Sequence, residues 1–479
     1  MQRREFLGRA IFGASALVLT GFPSLGKDEA PVFQGAEKGK QRPNILLITA
    51  DDLGCQLSCY GEKRIATPQL DAFAAEGVRF ASAYVAQSSC SPSRSALLTG
   101  LFPHQNGQLG LAHLGFQMYP GQKTLPALLK AAGYRTGIIG KLHVEPVADF
   151  PWDWLPKEKV AAVPTRDVKL VAQRAREFLA DAKQTGQPFF FYVNYFDPHG
   201  PLNKDTDQIN GLPEKPLRAA DIKQPLPFRM PTPERQVSMT AQYFNTVLRL
   251  DAGLKLLLDE LQAAGCAANT LVIYVGDNGI AAGRGKTWSY ELGVQVPMLL
   301  RWPGVAQAGV VRNEPVSLLD VMPTVLAAAG VPAPVGLSGQ PLQPLLRSGE
   351  AKWREFLFTE MNFHEPQIFR PQRTVRDARH KLVLNLLPEE GQAPRELFDL
   401  TADPDETHNL YADSACADVR SKLEKALAAW QRATNDPLLD LERVKRWKAT
   451  AEKWSKLPKV KAANAMVVHI PPGELDLLK

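Results

Sequence analysis

Four short runs of nearly unbroken apolar sequence constrain this chain more than any other feature: residues 44–49 (NILLIT), 136–139 (TGII), 188–196 (PFFFYVNYF) and 270–275 (TLVIYV). A strand that is apolar on both faces needs cover on both faces, as a parallel strand inside an α/β sheet does. Helical periodicity occupies 67–76, 93–98, 124–132, 168–183 and 238–264. Strands alternating with helices predict a doubly covered, mainly parallel sheet with right-handed crossovers.

Chemistry follows each run at once. Asp51 and Asp52 come after the first, Gly140-Lys141-Leu142-His143 after the second, Asp197-Pro198-His199 after the third and Gly276-Asp277-Asn278-Gly279 after the fourth. Open α/β sheets bind ligands beyond the carboxyl ends of their strands, so four such ends predict one site. Asp51, Asp52, Asp277 and Asn278 offer only oxygen donors, a set that suits Ca2+ or Mg2+ better than zinc. Cys90 lies in 88–94 (SSCSPSR), where Pro92 suits a first helical turn. The free N–H groups and positive dipole end expected there favour anions. Two readings of Cys90 stay open on spacing alone: an activated thiolate, or a small buried hydrophobe.

The ends of the chain add context. Arg3-Arg4 before the apolar run 10–19 reads as a twin-arginine export signal and leader over 1–30, which predicts a periplasmic or secreted protein. That run is too short for a stable membrane helix. A charged fraction of 22% and a net charge of +6 are ordinary for a soluble enzyme and exclude a dedicated nucleic-acid binder. Part of that charge sits in 441–459, where seven basic residues face two acidic ones. Val444, Trp447, Ala451 and Trp454 fall at helical spacing there, which predicts an amphipathic helix docked on the body. Proline-rich 200–233, which lacks periodicity, reads as an ordered surface excursion near the site. Cys55 and Cys59 are close enough in sequence to bridge. Strand-like pieces at 355–359, 372–375, 381–385 and 396–399 precede a helix near 416–434, predicting a smaller α+β subdomain with an antiparallel sheet.

Cys90-Ser91-Pro92-Ser93-Arg94, continued by 95–100 (SALLTG), matches the C-x-P-x-R signature of type I sulfatases. The chain resembles that family over nearly its whole length after the leader. The resemblance implies an alkaline-phosphatase-like α/β sandwich at 40–335, with a mixed, mostly parallel central sheet, and the smaller subdomain at 336–479. It implies that a separate maturation enzyme oxidises Cys90 to Cα-formylglycine, which serves as nucleophile and metal ligand. Asp51, Asp52, Asp277 and Asn278 would complete the metal set, with Ca2+ preferred to Mg2+. Arg94 would orient the nucleophile, Lys141 and Lys286 would clamp the sulfonate, His143 would act as base and His199 as acid.

Within the family, 88–107, 137–144 and 430–437 resemble N-sulfoglucosamine sulfohydrolases. This implies N-sulfated glucosamine at the non-reducing end of heparan sulfate or heparin fragments as substrate, with His364 and Glu365 as sugar contacts. Lys286 stands where those enzymes tend to carry arginine, and the 200–233 loop is unlike theirs. Two alternatives accompany the reading: an O-sulfatase acting on sulfated sugars or aryl sulfates, and a non-catalytic sulfated-glycan binder if Cys90 stays a thiol.

Overall fold

Alternation of apolar side chains along the strands decides the layering. In a computed structural model, which describes residues 42–156, 163–462, 465–471 and 473–478, the main sheet has seven strands. They are Asn44–Asp51 (β1), Val78–Phe80 (β2), Arg135–Ile139 (β3), Phe189–Pro198 (β4), Thr270–Gly276 (β5), Met298–Arg301 (β6) and Val310–Arg312 (β7). Their spatial order is β3-β4-β1-β5-β6-β2-β7. The four strands read from the sequence are adjacent and parallel, and β6 runs antiparallel to both β5 and β2. The sheet is therefore mixed and mostly parallel, as the resemblance implied.

Successive side chains point to opposite faces. Ile45, Leu47, Phe190, Tyr192, Leu271 and Ile273 enter one core, against helices Cys90–Thr99 (α2), Leu125–Ala131 (α3) and Val321–Ala329 (α6). Leu46, Ile48, Phe191, Val193, Val272 and Tyr274 enter the other, against Pro68–Ala75 (α1), Val168–Thr185 (α4) and Pro233–Ala263 (α5). Local chemistry marks the helix ends. Asp167 caps α4 by accepting from the Lys169 and Leu170 amides, and Thr232 caps α5 ahead of Pro233.

A second sheet is antiparallel throughout, in the order β8-β9-β10-β11 from Leu357–Phe363, Phe369–Arg376, His380–Asn385 and Arg395–Asp399. Ala417–Ala433 (α7) covers it through Leu423, Leu427 and Trp430. The basic segment forms Leu441–Ser455 (α8), and its apolar stripe is inward: Val444, Trp447, Ala451 and Trp454 are buried with Phe116 and Phe363. Segment 200–233 carries only single turns and one isolated bridge. All five cysteines, Cys55 and Cys59 included, are free thiols. Among the described residues no helix is long and apolar enough to cross a membrane. The export signal read at 1–30 lies outside the described residues.

Candidate active site

The carboxyl edge of β3, β4, β1 and β5 gathers the predicted residues. β1 ends in a register shift between Ala50 and Asp51, and Asp52 takes a left-handed backbone (φ 63°) that turns the second carboxylate back toward the first. Left-handed non-glycine residues store strain and cluster at functional sites; His143 (φ 56°) and Thr287 (φ 75°) share this conformation. Gly140 has to be glycine, because its φ is +82° and a Cβ would lie 2.2 Å from the Asn194 carbonyl oxygen.

Cys90 is the first residue of α2, three positions earlier than the periodicity at 93–98 suggests. Its Sγ donates to Asp51 Oδ1 at 3.2 Å and lies 3.8 Å from Asp52 Oδ1. Burial, reinforced by the Asp51 carboxylate, pushes the Cys90 thiol well up. A desolvated site with a carboxylate in contact works against an activated thiolate there, despite the helix N-terminus.

Arg94, one turn along α2, is fully buried. Its Nε donates to Asp277 Oδ2 at 2.8 Å, and its Nη1 donates to the Lys141 carbonyl and to Asn194 Oδ1, each at 2.7 Å. Thr49 donates to the same Asn194 oxygen at 2.6 Å. Lys141 Nζ donates to Asp51 Oδ2 at 2.6 Å, and Lys286 Nζ pairs with Asp52 Oδ1 at 2.7 Å. Burial alone would raise the Asp51 carboxyl, but Lys141, then His199 and Arg94, hold it well below the usual carboxylate range. Lys286 is placed by its neighbours, its own amide donating to Ile280 and that of Thr287 to the Ser88 carbonyl, two residues before Cys90.

Two histidines complete this edge. His199 Nδ1 donates to the Gly200 carbonyl, leaving Nε2 facing Asp52 Oδ2 at 3.8 Å. Its loop is clamped by Arg166, which bonds the His199 carbonyl and Asp197, while Asp197 also accepts from Arg249. Asp197 of the Asp-Pro-His turn therefore anchors the loop. His143 Nε2 lies 2.6 Å from His113 Nδ1, and its own Nδ1 is buried with no hydrogen bond.

Donor chemistry at this edge fits a hard cation. Asp51, Asp52, Cys90 and His199 bring their ligand atoms within 4.8 Å of one another. Asp277 stands just outside that cluster, its Oδ1 accepting from the Asp52 amide at 3.0 Å. Asn278 donates to Asp52 Oδ1 at 2.8 Å while its own Oδ1 is buried without a partner. An orphaned buried oxygen beside three buried carboxylates is what a cation with oxygen ligands would satisfy. One thiol and a part-buried histidine committed through Nδ1 to a carbonyl do not make a zinc set.

The second sheet reaches the site from the side. Glu360 of β8 donates its amide to the Ala86 carbonyl at 2.8 Å, and Gln87 bonds the Leu109 and Phe363 carbonyls. His364, just beyond β8, then meets Ser89 Oγ at 2.9 Å. Glu365 accepts from Gln367 in its own turn, and among the described residues no hydrogen bond or ion pair ties it to the acidic cluster. Thr49, Asn194 and His113 went unread in the sequence. The first two lie within strands read as core, and His113 had no strand end to mark it.

Two half-buried lysines and a buried arginine matched to three buried carboxylates, at the carboxyl edge of a covered sheet, make an enzyme that handles small anionic groups. Comparison narrows that class: the Sulfatase family model matches residues 43–331 and the N-sulphoglucosamine sulphohydrolase C-terminal model matches 284–433, so the chain belongs to the sulfatase family. It is 35% identical to human N-sulphoglucosamine sulphohydrolase over 83% of this chain and 92% of that protein. It is 31% identical to an ulvan-active sulfatase of Formosa agariphila, over 83% and 82% of the two chains. A solved protein in complex with its substrate D-glucosamine-2-N,6-O-disulfate shares the fold, with TM-score 0.65, 23% identity and coverage of 83% and 99%. The chain is thus a hydrolase of sulfate esters or sulfamates, of the N-sulfoglucosamine sulfohydrolase type.

Proposed function

We propose that this sulfatase removes the N-linked sulfate from glucosamine at the non-reducing end of heparan sulfate or heparin fragments, with position 90 as nucleophile. The observation that carries the nucleophile is Cys90 at the start of α2, 3.2 Å from Asp51 and flanked by the Lys141 and Lys286 ammonium groups. Oxidised to formylglycine by a maturation enzyme, residue 90 would supply a hydrated aldehyde as nucleophile, and a bound Ca2+ would supply positive charge beside the sulfate oxygens. Asp51, Asp52, Asp277 and Asn278 would hold that cation together with position 90, the unpartnered Asn278 Oδ1 being the free donor.

The remaining roles belong to side chains already in place. Arg94, fixed by Asp277, Asn194 and the Lys141 carbonyl, orients position 90. Lys141 and Lys286 hold sulfonate oxygens as negative charge grows on them. His199 exchanges a proton with the leaving nitrogen at Nε2, because Nδ1 is committed to Gly200. His143 takes the proton released at position 90. Arg94, Lys141 and Lys286 balance Asp51, Asp52 and Asp277, so a divalent ion makes the site cationic and complementary to an anionic sulfamate.

Likeness to N-sulphoglucosamine sulphohydrolase and the placement of His364 against Ser89 support the substrate. Export by the twin-arginine route to the periplasm or outside the cell fits such a substrate. Sulfate release from N-sulfated and 6-O-sulfated glucosamine, compared at equal enzyme, tests the reading. Faster release from the N-sulfate is expected, and equal or reversed rates would overturn it. An unconverted Cys90 peptide mass together with no turnover would leave only the glycan-binding alternative.

A further inference from the structure

At this edge the His113 ring nitrogen meets a second imidazole, that of His143. His113 sits in the single turn Ala112–Leu114, and that turn is pinned from three sides. The Ala112 amide donates to Ser91 Oγ at 2.9 Å, the Leu111 amide to the His364 carbonyl at 3.0 Å, and the Ile470 amide to the Leu114 carbonyl at 2.9 Å. His113 is thereby fixed relative to the residue after Cys90, to the second sheet and to the C-terminal segment.

The His113 and His143 ring planes differ by 28° with centroids 4.8 Å apart, while Nδ1 and Nε2 are 2.6 Å apart. Rings so arranged lie end to end, joined by an in-plane hydrogen bond. Such a bond decides which nitrogen of His143 carries its proton. Were His113 the donor, His143 would carry its proton on Nδ1, a buried N–H without an acceptor. The opposite direction leaves Nδ1 with a free lone pair, which a base requires.

We propose that His113 is a positioning residue for the reaction: its Nδ1 accepts the Nε2–H of His143 and holds His143 in the tautomer whose Nδ1 takes the proton. The inference rests on the reading of His143 as the base. Partial desolvation at the rim of the site, with the Lys141 charge and the neighbouring His469, pushes His113 down to about 4, which favours the neutral, accepting imidazole near neutral pH. Once His143 is protonated, the same contact becomes charge-assisted and stronger. The left-handed backbone at His143 shows that the fold bears strain to present this ring.

Steady-state kinetics of the calcium-loaded, full-length enzyme on N-sulfated glucosamine, with His113→Ala, His113→Leu and His113→Asn, tests the proposal. Ala and Leu should lower kcat roughly ten- to a hundredfold with KM within about twofold. Asn, whose side-chain oxygen can stand in for Nδ1, should restore most of kcat. An unchanged kcat in His113→Ala, rescue by Leu, or failure of Asn to rescue would overturn it. A raised KM with intact kcat would make His113 a sugar contact and also overturn it. Should Ala and Leu lose their cooperative melting transition, Asn against His113→Gln decides: Asn active and Gln slow supports the proposal, and equal rates overturn it. If His143→Ala turns over as fast as the wild type, the base assignment fails instead.

Discussion

Cys90 and Asp51 sit 3.2 Å apart although 39 residues separate them, and the Arg94–Asp277 pair bridges 183. Asp51 and Asp277 were legible in the sequence, because an apolar run that stops abruptly at a carboxylate marks a strand end. The roles of Cys90 and Arg94 came from the C-x-P-x-R signature, and the contacts between the pairs only from the fold. Asn194 and Thr49 were not legible, since each is a polar residue inside a buried strand and acquires meaning only through Arg94. Replacing Cys90 by alanine is expected to lower sulfate release more than about 10⁴-fold. Stability should change by less than about 2 kcal/mol, because one buried thiol is lost and no buried charge is uncovered. Turnover and thermal melting of that variant check the two halves, and robust activity would refute the nucleophile.

Helix α8 shows how an element can mislead by its charge. Its cations invite a polyanion-binding reading, yet Lys445 and Lys453 pair with Glu442 and Glu474, and its other face is core. Removing the tail would therefore dismantle packing as well as charge. Trp454, fully buried beside Phe116 and Phe363, should cost about 3–5 kcal/mol when changed to alanine, read by chemical denaturation. Between α7 and α8, Asp436 accepts two hydrogen bonds from Arg373 at 2.8 Å, both side chains buried. Burial would raise this carboxyl, but Arg373 holds it well below the usual range. A depressed folded-state pKa contributes stability above the unfolded value of about 4 and loses it as pH falls below. Asp436→Asn should cost about 3–5 kcal/mol at neutral pH and flatten the acid limb of stability, measured by melting from neutral to acidic pH. A limb as steep as the wild type's would remove Asp436 from the account. Elements that escaped the sequence reading did so for visible reasons. β2, β6 and β7 are only three or four residues long, and α6 is buried nearly all round and so lacks a polar stripe.

At the scale of the whole molecule, the acidic edge joins four strands, α2 and the segment carrying Lys286. A cation bound there ties distant parts of the chain together in the folded state alone. Calcium at about a hundred times its dissociation constant should add roughly 2.7 kcal/mol, and a chelator should remove it. Differential scanning calorimetry with and without the ion checks this, and Asp277→Ala should largely erase the difference. An unchanged shift in that variant would take Asp277 off the ligand set.

Every residue of α2 from Cys90 to Thr99 is buried, and Cys90 itself is 1% exposed. A maturation enzyme that oxidised Cys90 would have to reach the thiol before these layers closed over it. On the proposed chemistry, activation is consequently an event in the life of the nascent chain and precedes any export of the finished fold. Protein recovered with an untouched thiol should stay inert however long it is later incubated with that catalyst, until it is unfolded and offered again.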